Sequence, residues 1–237
     1  MCGWCALARL RCPAVWQPAP GPALAVAATI TDLRVGTWVY ASPVRPAWST
    51  AWEAHSLTVL TGGRFEMGIG TGRPGIGEQL RELGLPTVPV NQRWGQVREI
   101  LTALRELDGA DLHTPVAMAV GGPKAEALAA ELADTVTFVM PHTESMQRVR
   151  DFDNRRAVEL ALHVPVVGGS VAPFMAGPDT DAAAIRAADS LAFIPSDPAA
   201  AAEEILRRRE EIGFSYFVFG AGVAGVLAPV VSKLGGR

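Results

Sequence analysis

Cysteine is scarce and poorly placed for a structural role: of 237 residues only Cys2, Cys5 and Cys12 are cysteine, all at the start of the chain. A Cys-x-x-Cys pair with a third thiol can bind metal or cycle between redox states, but neither a strand-turn-helix context nor a fourth ligand accompanies it. These read as ordinary thiols of a reducing cytoplasm, with no metal site. Histidine is equally sparse, and His55, His113, His142 and His163 stand too far apart to form a paired helical ligand motif. An excess of charge of one sign is also missing. The 21 basic and 24 acidic residues leave a net charge of -3, which excludes the electrostatic footprint of a nucleic-acid or anionic-membrane partner. No apolar run reaches the roughly 20 residues that span a bilayer, and the alanine-rich stretch from Ala23 to Ile30 follows Pro18, Pro20 and Pro22. Neither a membrane span nor a cleaved signal is expected.

What the chain does contain is apolar surface to bury. Hydrophobic residues make up 49% and charged ones 19%, and a chain of this length fits one large α/β domain. The informative stretch runs from Leu33 to Gly84. Leu33 to Tyr40 is rich in β-branched and aromatic residues and is closed by Pro43 and Pro46, which predicts a strand. From Ala47 to Leu60 small and apolar residues recur every three or four positions, a helix that Thr61-Gly62-Gly63 stops. Arg64 to Gly70 is a second strand, and Thr71 to Glu78 is a loop too rich in glycine to be packing filler. Strand, helix, strand in this order makes a parallel βαβ unit.

The joint pattern of Leu33 to Thr37, Leu57 to Phe65, and Gly68-Ile69-Gly70-Thr71-Gly72, with Glu78 and Gly84 beyond, resembles the bacterial-luciferase-like monooxygenases and reductases. A lone glycine motif would say little, because such turns follow strands in many α/β proteins. The spacing of all the parts together is far more specific. Thr58 and Thr61 depart from the aspartate and serine that the family prefers, which are details of the helix end.

The rest of the chain keeps the rhythm. Asn91 to Leu107 reads as a helix with one apolar face from Trp94 to Leu107, Thr114 to Val120 as a strand opening into Gly121-Gly122-Pro123-Lys124, Ala125 to Ala133 as a helix, and Thr135 to Met140 as a strand. Glu144 to Arg156 suits an exposed helix, and Val158 to Val171 a strand interrupted by Pro165 and by Gly168-Gly169. Asp179 to Leu191 and Asp197 to Ile212 read as helices, the second capped by Ser196-Asp197-Pro198 and closed by Gly213. Phe214 to Phe219 is the last strand, and Gly220 to Leu234 a loop and helix. Six strands alternating with helices predict an α/β fold of the (β/α) TIM-type barrel kind, N-terminally incomplete, because eight close such a barrel. Residues 1–22 read as an irregular segment and 23–237 as the barrel domain. Six strands leave sheet edges open, which invites association; the expected partner is a second copy of the chain in a homodimer.

In such barrels chemistry sits at the C-terminal ends of strands. The resemblance implies that Thr37, Trp38 and Val39 form an irregular bulge, sometimes with a non-proline cis peptide, that backs a flavin or deazaflavin ring, with Gly70 and Gly72 beside it. Trp38 and Tyr40 read equally well as core aromatics. Gly121, Gly122, Pro123 and Lys124 would hold a cofactor phosphate, because glycine exposes backbone N–H groups, the helix N-terminus carries about half a positive charge and Lys124 adds a full one. Arg73 and Glu78 are candidates to orient a small polar substrate, or to pair with each other in a solvated salt bridge. His142 is the candidate proton donor, and Arg64 reads as a structural ion-pair residue. The resemblance implies a cytoplasmic oxidoreductase using coenzyme F-420, which the Gly-Thr-Gly-Arg-Pro loop and the Ala- and Arg-heavy composition favour, with FMN the alternative. Two other readings stand beside it: a catalytically silent family member that binds cofactor or a partner, and a sugar-phosphate enzyme on a generic barrel.

Overall fold

A computed structural model of the chain describes residues 19–139, 147–152, 157–172 and 181–235. These fall into two compact units, one built mainly from residues 19–136 and the other from 137–152 and 159–235.

The first unit runs α1 (Pro20–Thr29), β1 (Val35–Gly36), β2 (Tyr40–Ala41), α2 (Ala47–Leu60), β3 (Phe65–Gly70), α3 (Ile76–Glu82), α4 (Val90–Asp108), β4 (Val116–Val120), α5 (Pro123–Leu132) and β5 (Thr135–Phe138), whose last two residues fall in the second unit. Its strand order is β1–β3–β4–β5, with β2 also paired to β3. The pairings of β3 are parallel, at Val35↔Phe65, Tyr40↔Ile69 and Met67↔Val116. Phe65, Met67, Ile69, Val116 and Met118 are fully buried, as expected of parallel strands covered on both faces. Ala51 and Ala54 are fully buried where α2 packs on α4. Near that contact Thr58 lies beside Thr114, their hydroxyls 2.8 Å apart, and the carboxylate of this cluster is that of Asp108, which accepts from the Thr114 backbone and hydroxyl.

Three expectations change here. Helix α1 begins at Pro20, inside the stretch expected to be irregular, because proline at the first helical position already has the helical φ. The strand expected over Leu33–Tyr40 is two short pieces, β1 and β2, separated by residues 37–39. The glycine-rich loop gives way early to α3, started by Gly75 at φ 81° and anchored by buried Ile76 and Leu80.

The second unit contains α6 (Gln147–Arg150), β6 (Glu159–Val164), β7 (Val166–Val167), β8 (Ser170–Val171), α7 (Ala182–Ala187), β9 (Phe193–Ile194), α8 (Pro198–Ile212), β10 (Phe214–Phe219) and α9 (Ala224–Leu234). Its strand order is β5–β6–β10, and β6 and β10 pair in parallel from Phe214↔Leu160 to Phe219↔Val164. The strand expected over Val158–Val171 is three, broken at Pro165 and at the Gly168-Gly169 turn; β7 pairs antiparallel with β8 and parallel with β9, a two-residue strand with no sequence signal of its own. Asp197 caps α8 through the N–H groups of Ala199 and Ala200, and Gly213 ends it in the left-handed conformation. The whole is a mixed α/β fold of the (β/α) type. Among the described residues its main sheet has seven strands, β1 and β2 being two pieces side by side on β3, against the eight of a closed barrel.

Candidate functional site

The break between β1 and β2 and the C-terminal ends of β3 and β4 carry the sequence-predicted residues of the first unit. Between β1 and β2 the chain leaves the ladder, and the Thr37 hydroxyl takes over: it donates to the Gly68 carbonyl at 2.8 Å and accepts from the Gly68 N–H at 3.0 Å. Only glycine fits opposite, since a Cβ at Gly68 would lie 2.0 Å from the Thr37 carbonyl oxygen. The Trp38–Val39 peptide bond is cis. Val39 leans across β3, its methyls 3.0 Å and 3.3 Å from where Cβ atoms of Gly68 and Gly70 would stand. Trp38 and Val39 are half-buried, whereas Thr37 is buried and its side chain is spent on the backbone.

A cluster that sequence reasoning missed flanks this bend. The Tyr40 hydroxyl donates to Glu53 Oε1 at 2.5 Å, Arg45 pairs with the other carboxylate oxygen, and the Arg45 guanidinium lies 5.2 Å from the Tyr40 ring centroid. Burial first, and the Glu53 carboxylate second, push the Tyr40 phenol far above its ordinary range. Tyr40 is therefore a locked, neutral donor. The pattern was hard to see because Tyr40 and Arg45 both lie before the helix that carries Glu53, where no periodicity relates them to it.

In the loop after β3, Gly72 has φ 84° and Ile76 packs against it. Arg73 and Glu78 are exposed and do not pair with each other, contrary to one expectation: Arg73 reaches Gln79 at 3.4 Å, and Glu78 stands 4.0 Å from Arg81, one helical turn on. Nor does Arg64 form an ion pair among the described residues. It donates to four backbone carbonyls, those of Ala28, Thr31, Leu33 and Thr61, and so ties the end of α1 to the start of β3. The residue missed in this region is Arg93, buried at the start of α4, which donates to the Val88 and Thr71 carbonyls.

After β4, Gly121 is exposed and Gly122 is the N-cap of α5, extended at φ 176° and without a side-chain cap bond. Pro123 takes the first helical position and Lys124 is exposed beside it. Nothing lies within 4 Å of where a Gly122 Cβ would stand, so this helix end is open. His142 lies outside the described residues. Among the described residues no group of His, Cys, Asp or Glu side chains is arranged to hold a metal.

The profile of the luciferase-like monooxygenase family matches residues 8–216. The chain belongs to this family. No curated protein matches it, but solved structures share its fold. An F-420-dependent secondary alcohol dehydrogenase in complex with an F-420–acetone adduct is 16% identical, with a TM-score of 0.64 over 92% of this chain and 83% of that one. A riboflavin lyase with modified FMN and riboflavin gives 12% identity and a TM-score of 0.65 over 92% and 74%. The coenzyme F-420-dependent tetrahydromethanopterin reductase of Methanopyrus kandleri is 18% identical, with a TM-score of 0.52 over 65% of this chain; the match spans 56% of that reductase's length. At these identities the likeness is one of fold.

Within this luciferase-like chain, then, Gly70 ends β3, Gly72 and the open end of α5 follow the C-terminal ends of β3 and β4, and the bend at residues 37–39 lies between β1 and β2, opposite the middle of β3 in the same unit. Asp108, Asp134, His55 and His113 form hydrogen-bonded pairs among themselves around the segments that precede β4 and β5, the end that in such folds serves stability.

Proposed function

We propose that the chain binds a phosphorylated deazaflavin or flavin at the strand ends of its first unit and serves hydride transfer to or from a small organic substrate. Coenzyme F-420 is the favoured cofactor and FMN the alternative. The observation that carries this reading is the unobstructed start of α5: nothing stands within 4 Å of where a Gly122 Cβ would lie, the dipole favours an anion there, and Lys124 is exposed in the same turn. Family membership and structural neighbours named for F-420 and for FMN support both cofactors.

In this reading Gly121, Gly122, Pro123 and Lys124 hold the phosphate. Trp38 and Val39 back the ring, and Gly70 and Gly72 leave room beside it. The cofactor, when bound, supplies the hydride chemistry; the protein binds, orients and excludes water. Arg73 and Glu78 orient the substrate from the loop, and His142 is the acid to test by substitution with glutamine. A cytoplasmic location belongs to the same proposal, since three clustered thiols suit a reducing compartment; no helix among the described residues is long and apolar enough to cross a membrane.

The partner we infer is a second copy of the chain, seated on α1 and α2. Trp48 and Trp52 are 56% and 59% exposed, and Val26, Ile30, Leu33, Val59 and Leu60 are more exposed still or nearly so. A helix apolar on both faces calls for cover. Helix α1 carries no charge, and the single acid of α2, Glu53, is spent on Tyr40 and Arg45. A charged partner finds no complement here, whereas a two-fold copy does, and the side chains offer an area on the order of the 800 Å² that each partner gives to a standard interface.

One observation favours the silent-member reading: residues 38–42, 70–78 and 121–124 contain no histidine, aspartate or cysteine. Incubating purified protein with FMN and with F-420, following fluorescence for binding and absorbance for hydride transfer to candidate substrates, separates the two. Binding of either cofactor supports the proposal, turnover supports its enzymatic part, and binding without turnover supports the silent member. Failure to bind either cofactor overturns both.

A further inference from the structure

Residues 37–39 leave the ladder between β1 and β2, so the course of this bend is set by its two flanks. On the first, the Thr37 hydroxyl donates to and accepts from the Gly68 backbone. On the second, β2 pairs with β3 only at Tyr40↔Ile69 and Ala41↔Gly70, a ladder shorter than ordinary strands make. Glu53 completes that flank. Its carboxylate accepts the Tyr40 hydroxyl on Oε1 at 2.5 Å and pairs with Arg45 through Oε2, which closes the chain from β2 through the 3-10 turn Ser42–Val44 back onto α2. The Arg45 guanidinium returns to within 5.2 Å of the Tyr40 ring centroid, so the three side chains form one unit. Helix α1 confines the carboxylate from another side, since a Cβ on Gly21 would stand 2.7 Å from Glu53 Cδ and Oε1. Tyr40 is buried and turns to α2, whereas Val39 leans across Gly68 and Gly70.

We propose that Tyr40, Glu53 and Arg45 are the brace that fixes the bend at residues 38–39, and that through it they are positioning residues for the ring of the bound cofactor. The second half rests on the reading above, in which Trp38 and Val39 back that ring. The brace acts through the backbone. Without the Tyr40 bond, β2 is held by its short ladder alone, and Val39 loses its fixed distance from the strand on which it leans. The cofactor must then order its own backing surface on binding, which costs affinity.

The test compares the wild type, Tyr40→Phe, Glu53→Ala and Glu53→Gln with Thr58→Val, a control that removes buried hydroxyl bonds at the far end of α2. The readouts are the thermal midpoint, amide hydrogen exchange of the peptide spanning residues 38–44, and the affinity for FMN and for F-420 followed by fluorescence. In Tyr40→Phe and Glu53→Ala the exchange of this peptide is expected to rise, and the affinity for whichever cofactor the wild type binds to fall, each by about fivefold or more, the equivalent of one ordinary net hydrogen bond. Glu53→Gln keeps an acceptor for the Tyr40 hydroxyl and is expected to lie between Glu53→Ala and the wild type. Thr58→Val lowers the midpoint but leaves the exchange at 38–44 and the affinity as they are. Should Glu53→Ala not fold, Tyr40→Phe, which keeps the buried ring, carries the test alone. Affinity that is unchanged in Tyr40→Phe, or that falls equally in Thr58→Val, overturns the proposal while leaving the cofactor reading intact. Unchanged exchange at 38–44 in Tyr40→Phe overturns the brace itself. Faster exchange there, together with a wild type that binds neither cofactor, upholds the brace and discards the cofactor reading instead.

Discussion

Two glycines carry opposite physical lessons at the scale of single residues. Gly68 is required by contact: any side chain meets the Thr37 carbonyl at 2.0 Å, and that carbonyl belongs to the same residue whose hydroxyl binds the Gly68 backbone. Gly68→Ala forces β1 and β3 apart and costs about 1–3 kcal/mol or more, read as a lower midpoint in urea; a variant as stable as the wild type contradicts the tight contact. Gly122, by contrast, is free to change. Its φ of 176° is open to any residue and nothing stands within 4 Å of its Cβ position. An aspartate there caps α5 with its own carboxylate, which adds about a few tenths of a kcal/mol over glycine while filling the anion position. Gly122→Asp is expected to hold or raise the thermal midpoint and to abolish binding of FMN and F-420, and a folded variant with unchanged cofactor affinity would remove the phosphate from α5.

Elements are tied together by buried arginine and tyrosine rather than by surface ion pairs. Arg208 of α8 is 2% exposed; it donates to the Leu191 and Phe193 carbonyls and to Glu204, and so fastens the segment leading into β9 against its own helix. Arg208→Met fills a similar space but leaves the Ser190, Leu191 and Phe193 carbonyls without this donor, while Glu204 keeps its bonds from Arg207, and is expected to lose about 1–3 kcal/mol in chemical denaturation. At the other end of the chain, Tyr40 joins β2 to Glu53 of α2. Its phenol is raised by burial and by Glu53, so the folded state holds this proton where the unfolded chain releases it. The stability it contributes is complete below the ordinary phenol value of about 10 and declines as pH rises beyond it. Thermal midpoints measured above that pH are expected to fall more steeply in the wild type than in Tyr40→Phe. Spectrophotometric titration can follow the phenol directly, since the chain has only one other tyrosine, Tyr216.

For the molecule as a whole the testable feature is the apolar outer face of α1 and α2. If a second copy covers it, Trp52→Glu places a charge at the centre of the contact, and sedimentation or light scattering is expected to register a change from dimer to monomer. A wild type that stays monomeric at high micromolar concentration removes the inference. The buried side of α2, Ala51, Ala54 and Leu57, is untouched by this substitution, so the monomer keeps its fold.

The sequence by itself determined the elements whose signals are local. Helix α2 spans Ala47–Leu60 as its periodicity and terminal glycines predict, β10 spans Phe214–Phe219, and α8 starts after Asp197 and ends before Gly213. In each case the cause lies within a few residues: a repeat of apolar positions, a capping side chain, a glycine able to turn left-handed. Family membership was legible for the same reason, since its strings are short and contiguous. Tertiary structure alone decided what depends on residues far apart in sequence. The break between β1 and β2 needs Gly68, 31 positions from Thr37; the neutral Tyr40 needs Glu53 on the facing helix; and the buried Arg93, which reads in sequence as one more exposed charge near the start of a helix, acquires its place only when Thr71 of the β3 loop is folded against it. Local signals report the backbone a residue prefers, whereas the charge it must balance is set by neighbours that the chain brings to it only on folding.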